Sequence, residues 1–343
     1  MMIKPSSIPV GILGATGMVG QRLLQLLESH PYFEPVFLGA SNRSSGKLYK
    51  EACRWRLEGS LASHLAEMTL HECEPRHLPS NVKIVFSALD SGVAGPIEAS
   101  FRAAGYFVIS NASAWRMDDS VPLIIPEVNS AALSILGAHP QSGIIANPNC
   151  CVIPLCLALA PLHEAFGVEA IIVSTYQAVS GAGYPGESAW DMVGTVHPHA
   201  GNEELKLAEE PPKIFGTDID ISARCVRVPT ADGHLLGINV KLAQTVSPSE
   251  ALECLQSWRP KMPSLPSSPE PVLQLMSQRD RPSPRFDIHA GGGMAVSIGR
   301  VEACPIMGLK LFALGHNTIR GAAGAALING ELLVQTILQE QDQ

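Results

Sequence analysis

Cys150 follows Asn147-Pro148-Asn149 and opens an apolar run that reads as a helix to about Phe166. Free backbone N–H groups at a helix start depress a thiol's pKa and favour the thiolate. A thiolate attacks acyl carbons, and the same N–H groups can hold the oxyanion that forms. These residues therefore allow acyl transfer through a covalent thioester. The chain has 8 cysteines that compete for the role. Cys156 falls inside the expected helix and Cys225 inside an expected strand, where a cysteine acts as a small core residue. Cys151 is adjacent, but on a helix its side chain would point roughly 100° away. On position alone, a buried structural cysteine stays open as the alternative for Cys150.

Other residues suit binding. Gly14-Ala15-Thr16-Gly17-Met18-Val19-Gly20 stands between a strand and a helix. Three glycines so spaced permit a tight turn, close approach to a pyrophosphate and close helix–strand packing. The helix N-terminus offers N–H groups to the anion. After the second strand a dinucleotide site for NAD usually carries an Asp or Glu. This chain has Gly39-Ala40-Ser41-Asn42-Arg43-Ser44-Ser45-Gly46 instead. A cation and hydroxyls suit a 2′-phosphate, so NADP(H) is the expected cofactor, with a plain polar loop as the alternative. Glu203 and Lys206 share one helix face at i, i+3, where a surface ion pair is the ordinary reading. His197-Pro198-His199 with Glu203 and Glu204 could supply metal ligands. Alternate residues on a helix point apart, however, and Pro198 adds strain, so no metal is expected.

The elements needed to position these groups can be read from periodicity. Residues 8–14 form a short apolar strand, followed by a helix with Met18, Leu23, Leu26 and Leu27 at helical spacing. Strands over 35–39, 82–88 and 106–110, with a helix over 95–104, make βαβ units and a parallel sheet. Beyond Cys150, strands over 169–178, 222–228, 234–242 and 295–302 point to a mixed sheet. Residues 259–285 are dense in Pro and Ser and read as a surface loop. Residues 317–338 read as a Gly/Ala-rich helix that packs closely on a neighbour. The fold class is α/β, a Rossmann-type dinucleotide-binding domain plus an α+β domain with a mixed sheet.

Bulk composition agrees. The 343 residues suit two domains, and 46% hydrophobic against 16% charged residues excludes a disordered chain. The apolar stretch from Ile144 to Leu162 is interrupted by Asn147, Pro148, Asn149 and Pro154, and reads as a buried helix start rather than a membrane span. A net charge of −8 without a basic cluster excludes a nucleic-acid surface. The N-terminus shows no charged leader with an apolar core, and irregularly spaced cysteines fit free thiols, so a cytoplasmic protein is expected.

Together, Gly14–Gly20, Asn111-Ala112-Ser113, Asn147–Cys150, Gln177-Ala-Val-Ser-Gly-Ala-Gly183 and Gly315-His-Asn-Thr-Ile-Arg-Gly-Ala-Ala-Gly324 resemble the aspartate-semialdehyde dehydrogenase family, in its archaeal and fungal branch. The resemblance spans nearly the whole chain. It implies an NADP-binding domain over 1–149 and 317–343, a catalytic and dimerisation domain over 150–316, and a homodimer or homotetramer. The implied reaction is NADPH-dependent reductive dephosphorylation of L-aspartyl 4-phosphate through a thioester. Cys150 would be the nucleophile, His234 the acid–base and Gln177 a positioning group. Arg227 would hold the α-carboxylate, Glu203 the amino group, and Lys206 and Arg116 the phosphate, with Asn149 assisting. Gly14, Thr16, Gly17, Met18, Val19, Ser41, Arg43, Ser44, Ser87, Ser180, Gly181, Gly183 and Asn317 would bind the cofactor. Cys151 and Leu235-Leu236 depart from the family pattern, which expects Ser or Thr after the nucleophile and a polar pair after His234. Malonyl-CoA reductase, N-acetyl-glutamyl-phosphate reductase and a non-catalytic dinucleotide-binding homologue are the alternatives.

Overall fold

In the computed structural model, which describes residues 7–137 and 140–338, the strands form two six-stranded sheets. Residues 1–6, 138–139 and 339–343 of the expected nucleotide domain lie outside the described residues. Strands β1 (Ile8–Leu13), β2 (Phe33–Ala40), β3 (Leu70–Glu72), β4 (Ile84–Ser87), β5 (Phe107–Ser110) and β6 (Gly143–Ala146) form the first sheet. Its order is β3-β2-β1-β4-β5-β6, and every pairing is parallel. Val10, Ile12, Ile84, Val85, Phe86, Val108 and Ile109 are fully buried. Such strands are continuous apolar runs because helices cover both faces. Two of those helices are α1 (Met18–Leu27) and α2 (Ser91–Ala103). The latter starts four residues before the expected 95, at the Asp90 N-cap.

Strand β6 corrects the sequence reading of 144–162. Its four residues complete the parallel sheet before the helix begins. Helix α3 (Val152–Phe166) then carries buried side chains on every face, from Val152 to Leu162. It has no amphipathic pattern because it is covered on one side by β7, β9, β11 and β12 of the second sheet and on its other sides by helices, Glu203–Phe215 and Pro248–Ser257 among them. Gly167, at φ 71, ends it.

The second sheet contains β7 (Val168–Gln177), β8 (Asp220–Arg227), β9 (His234–Leu242), β10 (Leu273–Met276), β11 (Val296–Cys304) and β12 (Gly308–Gly315). Its order is β10-β11-β12-β9-β7-β8, with parallel β10–β11 and β7–β8 pairs and antiparallel pairs between. Helices α4 (Glu203–Phe215) and α5 (Pro248–Ser257) pack against α3 on the covered side. The 259–285 segment is not a plain loop. Val272 and Leu273 are buried, and β10 forms the edge of the sheet. Ser267 is bonded to the buried Glu331, which ties this segment to the C-terminal helix. That helix is α6 (Gly324–Leu333), flanked by π-turns over Ile319–Ala323 and Val334–Leu338. As its composition suggests, it packs closely, with Gly330 against Phe86.

Candidate active site

The turn from β6 into α3 is fixed by side-chain bonds before any chemistry is considered. Asn147 donates to Asn111 Oδ1 at 2.9 Å and accepts from Asn329 Nδ2 at 2.6 Å. The Asn149 carbonyl accepts from Ile153 N at 3.0 Å, and its side-chain oxygen accepts from Cys151 N at 2.8 Å. Cys150 sits on this turn, half-buried, one residue before the buried Cys151. The π-turn of 319–323 lies directly beneath it: a Cβ on Gly321 would meet Cys150 Cβ at 2.7 Å.

The sulfurs of Cys150 and Cys151 and a ring nitrogen of His234 lie within 4.8 Å of one another. Cys150 and Cys151 precede α3 rather than belonging to it, so their side chains converge instead of splaying by a helical step. A hydrogen bond from Cys151 and then the nearby His234 hold the Cys150 thiol well below its ordinary range, against its burial. Side-chain donors thus supply the acidification expected from helical amides. Burial, with Cys150 beside it, pushes the Cys151 thiol up. Cys151 therefore stays protonated as a donor. Cys156 and Cys225 are core residues, as their elements suggest.

His234, at the start of β9, is fully buried. Its Nδ1 accepts the Ala178 amide at 3.1 Å, and its Nε2 has no partner. A nitrogen that accepts an amide hydrogen bond carries no proton, so the neutral ring is protonated at Nε2. That makes Nε2 a donor and not a metal ligand. The His197, His199, Glu203 and Glu204 grouping does not assemble. His197 instead pairs with Arg227 along the backbone, and Cys150, Cys151 and His234 form the one such cluster among the described residues.

Gln177 and Arg227 end adjacent strands and are in register across the β7–β8 pair. Arg227 donates to Gln177 Oε1 at 3.1 Å, to the Ala178 carbonyl at 3.0 Å and to Glu187 at 3.4 Å. Gly181 closes the floor between the two functional side chains. A Cβ there would meet Arg227 Nη1 at 2.9 Å and His234 Nε2 at 3.0 Å. Leu236 is buried in the core, while Leu235 lies on the opposite face of β9. The apolar pair after His234 therefore leaves the His234 ring's surroundings to Ala178, Gly181 and the cysteines.

Helix α4 presents Glu203, Lys206, Glu210 and Lys213 at spacings that place them along one face. Glu203 accepts from Lys206 Nζ at 2.6 Å and from Asn149 Nδ2 at 2.8 Å. Burial opposes ionisation of Glu203, but Lys206, Asn149 and His234 outweigh it and hold the carboxyl below its ordinary range. Glu210 accepts from Arg116 Nη1 at 2.9 Å and from the Asn149 amide at 2.6 Å. Arg116 also donates to the Asn111 carbonyl at 2.8 Å, which leaves Nε buried without a partner. Lys213 donates to the carbonyls of Arg116 and Asp118, each at 2.8 Å. Glu210 and Lys213 were not expected from the sequence, although their i+7 and i+10 spacing from Glu203 is a usable signal. Glu187 stands in an irregular loop and gives no such signal.

On the nucleotide side, Gly14 at φ 75 lies so close to β4 that a Cβ would meet the Ala88 carbonyl at 2.6 Å. A Cβ on Gly20 would meet the Gly14 carbonyl at 2.3 Å, so α1 can start tight against β1. Thr16, Gly17, Met18 and Val19 form the head of that helix, and its first N–H groups are available to an anion. Ser41, Arg43 and Ser44 turn outward just after β2, with Ser41 and Arg43 exposed and no acid within residues 39–46 itself, although Glu72 on β3 pairs with Ala40. Ser180 donates to Asp232 at 2.7 Å and accepts from Asn317 at 2.8 Å, and Asn317 accepts the Gly233 amide at 2.8 Å. A cleft of about 880 Å³ joins Met18 to Ser180, Gly183, Asp232 and His316. Ser87 does not reach this cleft. It is fully buried, and its hydroxyl faces the Glu98 carboxyl together with Ser110 and Trp115. Residue by residue, the glycine loop, the cation-bearing loop and the cleft fit a phosphorylated dinucleotide.

Residues 9–136 match the family model described as semialdehyde dehydrogenase, NAD binding domain, and residues 159–320 match semialdehyde dehydrogenase, dimerisation domain. The chain is 42% identical to the aspartate-semialdehyde dehydrogenase of Archaeoglobus fulgidus, covering 95% of this chain and 98% of that one. It is 40% identical to that of Schizosaccharomyces pombe, with the same coverage of 95% and 98%. The Candida albicans aspartate semialdehyde dehydrogenase solved with NADP superposes with a TM-score of 0.88 at 36% identity, covering 96% of this chain and 98% of that one. With two domain models in the expected order and relatives matched over almost their full length, the chain belongs to the aspartate-semialdehyde dehydrogenase family.

Proposed function

We propose that this protein reduces L-aspartyl 4-phosphate to L-aspartate 4-semialdehyde, using NADPH and a thioester on Cys150. The observation that carries the reading is the convergence of an acidified Cys150, an Nε2-protonated His234 and two sets of charged groups beside a nucleotide cleft. Residues 1–149 and 317–343 form the nucleotide-binding part, and 150–316 the catalytic and dimerisation part.

Each charged group has a substrate counterpart. Arg227 holds the α-carboxylate, for which a guanidinium offers paired donors. Glu203, ionised and oriented by Asn149, takes the ammonium group. Arg116 Nε and Lys206 face the phosphate, whose charge grows as it leaves. Gln177, clamped to Arg227, sets the carbonyl relative to the sulfur. The Cys150 thiolate attacks the acyl carbon, the C–O bond to phosphate breaks, and the thioester forms. Bound NADPH supplies the hydride that the thioester carbon receives. Nε2–H of His234 donates to the oxygen as its charge develops, and collapse returns the electron pair to sulfur and frees the aldehyde. Gly14, Thr16, Gly17, Met18 and Val19 hold the pyrophosphate, Ser41, Arg43 and Ser44 the 2′-phosphate, and Ser180, Gly181, Gly183 and Asn317 the nicotinamide half.

The protein works as a homodimer or a dimer of dimers. The open face of the second sheet carries Ile172 and Tyr176, 44% and 41% exposed, beside Leu235 and Phe312. With Ser174, Asn239, Glu302 and Lys310 on the same face, this mix of exposed apolar and polar side chains suits an isologous contact. No helix among the described residues is long and apolar enough to cross a membrane. We propose a cytoplasmic enzyme that acts on a small molecule, with no nucleic-acid or membrane partner.

The test is NADPH formation from aspartate semialdehyde, phosphate and NADP, with NAD and N-acetyl-glutamate semialdehyde as parallel substitutions. NADPH oxidation by malonyl-CoA is followed separately. Phosphate-dependent turnover of aspartate semialdehyde, faster with NADP than NAD, is expected. Turnover of either other acyl substrate in its place would overturn the assignment.

A further inference from the structure

Glu210 lies two helical turns beyond Glu203 on α4 and is 2% exposed. A buried carboxylate needs partners for both oxygens. Here the two oxygens take partners from two different loops. Oε1 accepts Arg116 Nη1 at 2.9 Å, in the segment after β5. Oε2 accepts the Asn149 amide at 2.6 Å, in the residue just before the nucleophile. Asn111 makes a second, longer link, through its carbonyl to Arg116 and its side chain to Asn147, but of the two only Glu210 reaches the residue next to Cys150. The remaining bonds around it leave little slack. Arg116 Nη2 is held by the Asn111 carbonyl, and Lys213 holds the Arg116 carbonyl. Asn149 is held on its side chain by Glu203 and Cys151. Only Arg116 Nε remains unpaired.

We infer that Glu210 is a positioning residue for the reaction, which fixes the phosphate-facing Arg116 and the turn carrying Cys150 as one unit. It touches neither the substrate nor the sulfur. It orients the guanidinium so that Nε is the free donor, and it sets the Asn149 backbone from which the Cys150 side chain departs. A phosphate bound at Arg116 is thereby presented to the nucleophile at one separation. This inference rests on the assignment of Arg116 to phosphate.

Glu210→Gln keeps shape but has one acceptor oxygen, and its amide nitrogen would face a second donor. One of the two contacts is lost, and a hydrogen bond to a charged group is worth about 1.5–3 kcal/mol, or roughly ten- to hundred-fold. The experiment measures KM for phosphate and kcat with aspartate semialdehyde, together with NADP affinity, for Glu210→Gln, Arg116→Ala and the double variant. Glu210→Gln is expected to raise the phosphate KM and lower kcat by about tenfold or more, with NADP affinity unchanged. Its effect on the phosphate KM should largely vanish in the Arg116→Ala background. Glu210→Asp, which keeps the charge but shortens the reach, should move the phosphate KM in the same direction, and it carries the test if the Gln variant does not fold. A phosphate KM that is unchanged, or additive with Arg116→Ala, while Arg116→Ala itself raises it, would overturn the inference alone. An Arg116→Ala variant with a normal phosphate KM would overturn the assignment of Arg116 and the inference with it.

Discussion

At the residue scale, the chemistry rests on how two neighbouring thiols divide their roles. Cys150 is lowered chiefly by the Cys151 hydrogen bond and then by His234, whereas Cys151 is raised by burial. One therefore ionises first and the other donates to it. Because the donor stabilises the thiolate, its loss must raise the Cys150 pKa. Cys151→Ala should shift the pH profile of Cys150 alkylation upward, and Cys151→Ser, which keeps a donor, should shift it less. Alkylation rates by iodoacetamide across pH, read by mass spectrometry of the 150–151 peptide, measure this directly. Superimposable profiles for wild type and Cys151→Ala would show that Cys151 contributes nothing. Cys150 was legible from Asn147-Pro148-Asn149 and the apolar run after it. Its cause of acidification was not, because the turn places Cys150 and Cys151 before the helix and turns their side chains together. The Nε2 tautomer of His234 was also invisible, since it depends on an amide 56 residues away in sequence, at Ala178.

At the element scale, α3 leads from the last strand of the first sheet onto the face of the second. It is apolar on all sides, and Leu155, Leu157 and Leu159 are fully buried. Leu157→Ala should cost about 2–5 kcal/mol, because neighbours on several sides cannot all collapse into the cavity. Urea denaturation measures it, and a loss below about 1 kcal/mol would mean that the helix is loosely packed. Strands with helical spacing between them were readable, as β1–α1–β2 shows. Strand β6 was hidden because a strand buried on both faces does not alternate, and its apolar residues merge with those of α3. Strand β10 was hidden because four residues inside a Pro/Ser-rich segment show no period. Its place is set by β11 alongside it and by the Ser267–Glu331 bonds, neither of which is local.

At the scale of the whole molecule, the proposed catalytic groups come from both sheets and from the helix Glu203–Phe215. Cys150 follows the last strand of the parallel sheet, His234 opens β9, Gln177 and Arg227 end β7 and β8, and Glu203 and Lys206 stand on α4. The π-turn under Cys150 leads into the helix that packs on the parallel sheet, with Gly321 against Cys150 and Gly330 against Phe86. The order of these motifs in the chain was enough to suggest the family, but their convergence depends on how α3 and α4 pack together beside the second sheet. That convergence has one direct chemical consequence, a thioester on Cys150. Rapid mixing with L-aspartyl phosphate in the absence of nucleotide should release one phosphate per active site in a burst. Quenched samples should carry an aspartyl adduct on the peptide containing Cys150, and Cys150→Ser should give neither burst nor adduct. Phosphate release without an adduct, or an adduct on Cys151 or elsewhere, would contradict the account.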